Sequence, residues 1–579
     1  MDAQRGYLRD RLAATLFRAR EHRTGCSSSC GEASPGADRD TPAVDNGRIA
    51  DRLEAFASLL ELSEANPYTA RAYRRAAETI RSAAVPVDEL VRTRRVRRLR
   101  GIGPGIETRL RELVETGEIE ELAELERELA PGLVGLGRYL GLSARRSVEI
   151  ARALGVRTPE ELREAAAAGR LQSVPGIGPK MEARLLEALA REVEPKPQRG
   201  LLLNRARELV IGIAEALGGE PAGDPRRWRD SCELLAVVCA AADSGDVIER
   251  FAELPQIVAV IDRSERQAVG LTVEGVPVGL AVPEPGRLGT ALVRATGAAP
   301  YVAALEPVPD APDEAGVYAA LGIPWCPPEL REEPFRGEPP ELVEVADIRG
   351  DLHCHTTWSD GRASVEEMGS ASIERGYDYL AICDHTPAVG AVSGLRPDDV
   401  RRQGEEIEAA NEALAPFRVL RGIECDILPD GRLDLPDDVL AELDWVQASV
   451  HGGQRMPGPE MTKRVVEAMR NPSVRCLSHP TGRMIGRRPE NAVDLARVFE
   501  VALETGVAVE VNGLAPRLDL SGEHVREALR AGVRIVCSTD AHSILGLANM
   551  ELSVHTARRG WATAADVLNT RPLDEVLRR

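Results

Sequence analysis

Residues 350–361, GDLHCHTTWSDG, set His353 and His355 one residue apart and Asp360 five positions later, in a chain with nine histidines. Side chains two apart on a strand point the same way, so both imidazoles face one side of a sheet and form half of a metal site. The other half must come from distant sequence. Six more apolar runs follow at roughly thirty-residue intervals. Each ends in a polar or metal-type group: YLAICDH (379–385), VLRGIECD (419–426), VQASVHGG (446–453), VRCLSHP (474–480), VAVEVN (507–512) and RIVCSTDAH (534–542). Amphipathic helical stretches such as SVEEMGSASIERG (364–376) and AVDLARVFEVALETG (492–506) lie between them. This alternation predicts parallel strands with helical crossovers, and seven repeats favour a closed or nearly closed barrel over an open sheet. Chemistry in such barrels sits at the C-terminal rim of the strands, where these polar groups fall.

The candidate metal ligands are His353, His355, Asp360, His385, Glu424, His451, His479, Asp540 and His542. Nitrogen and oxygen donors without thiolate suit Zn, Mn or Fe, and the set is too large for one ion of four to six ligands. Two or three divalent ions are expected, with Glu424, on a central strand, as the bridging carboxylate. Clustered divalent ions activate water and neutralise charge on phosphate oxygens, so the expected reaction is phosphate ester hydrolysis. Glu424 and Asp540 are the catalytic carboxylates in this reading. Arg483 in HPTGR (479–483) and Arg517 in APRLD (515–519) are candidate phosphate clamps. Asp384, Asp426 and Asn512 are either orienters of these ligands or ordinary loop residues. His22, His524 and His555 fall outside the pattern and are read as core or surface residues.

At these positions the chain resembles the PHP (polymerase and histidinol phosphatase) family, whose distorted seven-stranded barrel holds a trinuclear metal centre. The resemblance implies that His353, His355, Glu424 and Asp540 hold one ion. It implies that Glu424, His451 and His479 hold a second, and Asp360, His385 and His542 a third.

The rest of the chain is long enough for several domains. It has 579 residues, 43% hydrophobic content and a formal charge of −19, which argues against coating nucleic acid through a bulk field but leaves room for a local basic stripe. No run approaches the roughly 18 apolar residues of a membrane span, and the opening MDAQRGYLRDRLAATLFRAR lacks the apolar stretch of a secretory signal. The expectation is a cytoplasmic, nucleoid-associated monomer without membrane contact. Five of the ten cysteines lie in short apolar runs and read as reduced core residues; Cys26 and Cys30 in CSSSC have no partners nearby. The expected units are a disordered tail (1–45), a helical lyase-like domain (46–125), a helical fingers-like domain (126–198), an α+β unit with its linker (199–345) and the barrel (346–579).

The stretches LRGIGPGIETRLRELVETG (99–117) and LQSVPGIGPKMEARLLEAL (171–189) share GIGP followed by an amphipathic helix. Such a turn aims backbone N–H groups and a helix N-terminus at an anion. Both stretches resemble the helix-hairpin-helix element, which grips DNA through phosphates without sequence preference. Gly101, Gly103 and Gly105, with Gly176, Gly178 and Lys180, are the candidate DNA contacts, supported by the basic run RTRRVRRLR (92–100).

From residue 45 on, the order of parts resembles bacterial family X DNA polymerases, with NPYTARAYRRAAETIRS (66–82) and YAALGIPWCPPELRE (318–332) similar to stretches found there. The implied fold is multidomain: an N-terminal all-α helix-hairpin-helix region, a nucleotidyltransferase palm and a C-terminal (β/α)7 TIM-like barrel. The palm departs from the family pattern. In AGDPRRWRDSCELLAVV (222–238), Asp224 replaces the serine after Gly223. Leu234, Ala236 and Gly279 stand where three metal-binding aspartates belong. Mg is therefore not expected in the palm, and the reading is a degenerate palm that does not polymerise. Arg109 stands where relatives carry the lyase lysine and, being permanently protonated, cannot form the Schiff base. The expected activity is metal-dependent phosphoesterase action on gapped, nicked or 3′-ended DNA, either as a 3′–5′ exonuclease or in 3′-end or abasic-site processing. The alternatives are a working repair polymerase with PHP proofreading and a small-molecule phosphatase of the histidinol phosphate type.

Overall fold

The computed structural model describes residues 200–578 apart from 273 and 391, together with 67–81, 87–99, 101–122 and shorter stretches between 49 and 177. The second GIGP, with Gly176, Gly178 and Lys180, lies outside the described residues, as do residues 1–45 with Cys26 and Cys30.

In the N-terminal part, helices Pro67–Arg81, Val87–Arg92 and Pro104–Thr116 bury one apolar face each. Tyr73, Ile80, Val91, Ile106, Leu110 and Leu113 share a core with Phe56 and Leu53. Gly101 takes φ 87°, a conformation that suits glycine, and turns the chain between Leu99 and the next helix. Pro104 opens that helix, where its missing N–H costs nothing, and Gly117 at φ 82° ends it.

The middle unit is a five-stranded sheet in the order β2-β4-β7-β6-β5, with a short β1–β3 pair beside it. The strands are β1 (Leu201–Leu202), β2 (Glu220–Gly223), β3 (Ser231–Cys232), β4 (Leu235–Val238), β5 (Ile257–Arg263), β6 (Gln267–Thr272) and β7 (Pro277–Ala281). Alternation divides β4 between two cores. Leu235 and Val237 pack with helices Leu203–Leu217 and Ser244–Ala252, while Ala236 and Val238 pack with Leu292 and Ala295 of helix Leu288–Thr296. Ala236 and Gly279 are register partners on adjacent parallel strands. Asp224 does not face an open site: its carboxylate accepts the backbone N–H groups of Glu233 (2.8 Å) and Leu234 (2.7 Å) and pairs with the fully buried Arg227.

The C-terminal unit is a seven-stranded parallel sheet whose spatial order follows the chain: β8 (Gly350–Cys354), β9 (Tyr379–Ile382), β10 (Arg418–Asp426), β11 (Trp445–Ser449), β12 (Val474–Leu477), β13 (Ala508–Asn512) and β14 (Ile535–Ser538). The ring closes where the His355 N–H donates to the Ala541 carbonyl at 2.8 Å. Leu420, Trp445, Cys476, Ala508 and Val536 fill one end of the barrel. Two or four residues further along the same strand faces come the buried polar Glu424, Gln447, Ser478, Glu510 and Ser538. The barrel is thus plugged with apolar side chains at the bottom and polar toward its C-terminal mouth.

The middle unit packs against the barrel. Ala515, Leu518 and Leu552 of the barrel join the core of the middle unit. The Trp228 ring lies between the Arg207 guanidinium (3.4 Å) and the His555 ring (3.6 Å, stacked). His555, expected to be an ordinary core or surface residue, bonds Glu329 at 2.8 Å in this seam. Among the described residues no helix is long and apolar enough to cross a membrane.

Candidate metal centre

The strand alternation that plugs the barrel bottom also aims Glu424 into the mouth. One carboxylate oxygen, Oε2, lies 2.9 Å from His385 Nδ1, 3.5 Å from His353 Nε2 and 3.8 Å from His355 Nε2. The other, Oε1, lies 2.8 Å from His479 Nε2 and 3.5 Å from His451 Nε2. A single buried carboxylate therefore meets five imidazoles from four strand ends, with its two oxygens facing two different groups.

The remaining donors extend the cluster. Asp540 Oδ1 is 3.2 Å from His355 Nε2 and 3.9 Å from His353 Nε2. Asp360, on the loop after β8, is 3.3 Å from His542 Nε2 and 3.7 Å from His385 Nε2. Three groups are close enough to hold an ion: His353 with His355 and Asp540; His385 with Glu424 and His451; and Asp360 with His355, His385 and His542. His355 and His385 each stand in two of these groups, an overlap that the three implied ligand sets do not contain.

Outer partners fix which nitrogen of each ring is free. His353 Nδ1 donates to Glu510 at 2.6 Å, His451 Nδ1 to Asp426 at 3.1 Å and His542 Nδ1 to the Asp540 carbonyl at 2.9 Å. In each case Nε2 is the ring atom turned toward the carboxylates, the orientation a metal ligand needs. Among the described residues, the buried Nε2 of His353 and Nδ1 of His355 have no hydrogen-bond partner, although a buried polar atom normally finds one. Orphaned imidazole nitrogens gathered with carboxylates fit a cluster of divalent cations.

The electrostatics carry the same imprint. Burial opposes ionisation of Glu424, yet His451, His385 and His353 hold its carboxyl well below the usual range. Burial likewise opposes, and His353 and His355 outweigh, in Asp540. His355 is pushed down to about 3 by burial and by neighbouring His542, so it is neutral and free to ligate.

Asp426 and Asn512, open in the sequence between orienter and loop residue, contact ligands: Asn512 Nδ2 donates to Asp540 Oδ2 at 3.0 Å. Asp384 instead braces the loop carrying Asp360, accepting from Thr356 and Ser359 and from Gln403 of helix Pro397–Leu414. Glu510 was missed. It accepts from His353, Ser478 (2.9 Å) and the His479 N–H (2.6 Å), and its signal was an acid inside the apolar run VAVEVN.

The two arginines part company. Arg517 reaches the cluster, with Nε 3.5 Å from Asp540 Oδ2, and its buried Nε and Nη1 have no hydrogen-bond partner. Arg483 is otherwise engaged, which corrects the expectation of a phosphate clamp. It donates to the carbonyls of Arg517 (2.9 Å) and Leu518 and pairs with Asp230 of the middle unit at 2.9 Å, so its fork is spent on holding two loops together.

Among the described residues, no atom beyond the neighbouring backbone lies within 4 Å of a Cβ placed at Gly101, Gly103 or Gly105. Arg109, at the lyase position, pairs with Glu112 (3.0 Å) and Glu121.

Comparison with known families and proteins matches these units in order. A helix-hairpin-helix domain model matches residues 44–119, a SAM-like helix-hairpin-helix tandem 140–191 and a PHP domain 351–512. The PHP match stops before Asp540 and His542, which β14 brings to the rim. The barrel alone is 31% identical over 201 residues to a protein named probable phosphatase from Acetivibrio thermocellus, covering 33% of this chain and 78% of that one. A similar protein named probable phosphatase from Photobacterium profundum is 28% identical over 35% of this chain and 81% of its own. Over nearly its whole length the chain is similar to the DNA polymerase/3′-5′ exonuclease PolX of Bacillus subtilis, 35% identical across 90% of this chain and 97% of that protein. Helical DNA-binding modules, a palm-like sheet and a PHP barrel in one order, with that identity from end to end, make this chain a member of the PolX family.

Proposed function

We propose that the chain is a metal-dependent phosphoesterase that hydrolyses DNA at or near 3′ ends, as a 3′–5′ exonuclease or in trimming repair intermediates. One observation carries this reading: the Glu424 carboxylate sits among five imidazoles with its two oxygens turned to different sets. Two or three ions of Zn, Mn or Fe would be held by His353, His355, Asp360, His385, Glu424, His451, His479, Asp540 and His542. When bound, such ions lower the pKa of a water and neutralise charge on phosphate oxygens. The chain's own part is to hold the cluster rigid and bind the phosphate. Glu510 and Asp426 keep the protons on Nδ1 of His353 and His451, and Arg517 offers two unpartnered donors to a phosphate oxygen beside Asp540.

The helix-hairpin-helix elements would hold the duplex by phosphate contacts around Gly101, Gly103 and Gly105 and, in the second copy, Gly176, Gly178 and Lys180. The palm would serve as a holder without nucleotidyl transfer: Leu234, Ala236 and Gly279 supply no carboxylate, and Asp224 is bound to Arg227 and two N–H groups. The site is expected in a monomer in the cytoplasm, at the nucleoid.

The test is a nuclease assay on 3′-labelled gapped DNA with wild type and His353→Ala side by side. Hydrolysis by wild type, lost with EDTA, restored by Mn and absent from the variant, supports the reading. Primer extension with dNTP and Mg or Mn, abolished by altering palm acids, would favour a working polymerase. Cleavage of small phosphate monoesters without any action on DNA would favour a phosphatase.

A further inference from the structure

The loop that leaves the metal cluster at His479 runs on into a groove between the barrel and the middle unit. Asp230 and Ser231 of the middle unit form one wall, and residues 483–490 of the barrel the other, around a volume of about 430 Å³. The barrel wall is a tight hairpin: Met484 and Arg488 pair as an isolated bridge, and Gly486 turns at φ 70°. The hairpin is tied to the loop that carries Arg517. The Ile485 N–H donates to the Pro516 carbonyl at 2.7 Å, next to Arg517, whose guanidinium is 3.5 Å from Asp540.

The charges in this groove are unevenly matched. Arg483 engages Asp230 at 2.9 Å and Glu490 at 3.9 Å, so both carboxylates of the groove are taken. Arg488 spends Nε and one Nη on the Gly482 carbonyl, and burial and the neighbouring Arg517 both lower its pKa, the mark of like charges held together. Arg487 is exposed beside Gly486 at the hairpin tip, with no ion pair among the described residues. Surplus guanidinium on a hairpin tied to the loop beside a phosphoesterase centre suits a phosphate chain rather than a single phosphate.

We infer that this groove is a backbone track for single-stranded nucleic acid, in which Arg487 contacts a phosphate outside the one being hydrolysed. The inference rests on the phosphoesterase reading above and deepens it, since it assigns the groove and the residue that hold the strand beyond the hydrolysed phosphate. The middle unit then contributes to hydrolysis by supplying the second wall of the track. Arg487 acts as a positioning residue, not as part of the chemistry.

The experiment compares the full chain with Arg487→Glu and Arg487→Lys in Mn on two substrates, a 3′-labelled oligothymidylate and bis(p-nitrophenyl) phosphate. The expected result for Arg487→Glu is a KM for the oligonucleotide raised about tenfold with kcat little changed. The salt dependence of kcat/KM should become shallower by about one contact. Hydrolysis of the small diester should stay within about twofold, and Arg487→Lys should recover most of the loss on the oligonucleotide. Because Arg487 is exposed, neither exchange disturbs a packed core. An active wild type with Arg487→Glu matching it on the oligonucleotide overturns the track while leaving the phosphoesterase reading intact, as does an equal loss on both substrates. A wild type inactive on both substrates overturns the phosphoesterase reading and the track with it.

Discussion

The barrel mouth and the centre of the palm sheet, where β4 and β7 pair in parallel, both align side chains across neighbouring strands, yet they use acidic residues in opposite ways. In the barrel, Glu424 and Asp540 are buried among imidazoles whose ring nitrogens face them, so the carboxylates are kept charged and gathered for cations. In the palm, the aligned positions Ala236 and Gly279 are apolar, and the buried acid nearby, Asp224, is consumed by Arg227 and two backbone N–H groups. An acid whose partners are structural locks a loop; an acid whose partners are metal-type ligands makes a site. The difference lies in the partners and not in burial, because both Glu424 and Asp224 are nearly inaccessible.

The sharpest way to break this contrast is to neutralise the two acids in turn. Glu424→Gln removes the carboxylate shared by both sides of the cluster, and hydrolysis of 3′-labelled DNA in Mn should fall by about a thousandfold, about 4 kcal/mol of barrier. Asp224→Asn should leave that rate within about twofold. It should destabilise the chain by about 1–2 kcal/mol, because the buried Arg227 loses one of its two carboxylate partners and keeps Glu332 at 3.0 Å, and a lowered melting temperature would show this. A palm acid that proved essential for any reaction would collapse the distinction. Glu510→Gln sharpens it from the other side: loosening the Nδ1 partner of His353 should weaken metal affinity about 10- to 100-fold, read by competition with a chelator.

The smallest effect concerns the seam joining the two units. Burial pushes the Glu329 carboxyl up, but the His555 hydrogen bond and Arg558 outweigh it and hold it at about 2, against an ordinary 4.5. A carboxyl depressed by folding contributes stability that is fully present above its unfolded pKa and lost as pH falls through the folded one. The contribution should therefore erode below about pH 5, by about 0.7 kcal/mol between roughly pH 5 and 4. Melting curves of Glu329→Gln should lack this component of the acid slope.

Much of the barrel was legible because its signal is periodic. Seven apolar runs at regular spacing, each ending in a polar or metal-type group, specify both the parallel strands and the rim where donors converge, as the Glu424 contacts show. The palm strands β4 to β7 likewise run through apolar stretches, in line with the α+β unit expected over 199–345. What the sequence concealed was partner choice. Arg483 and Arg517 follow successive strands and look alike as letters, but the carbonyls of 517 and 518 and Asp230 claim Arg483, a contact between segments some 250 residues apart. Glu510 reads as one acid in a strand, and only the folded ring reveals that His353 and His479 both lean on it. His555 belongs to no motif and owes its role to a tryptophan from another unit.

Anomalous diffraction from crystals of the intact chain soaked in manganese probes the caged-cation account most directly. The account requires two or three anomalous peaks at the barrel mouth, at least one of them beside the Glu424 carboxylate, and none between Ala236 and Gly279. Manganese bound in the palm with the barrel mouth empty would contradict it.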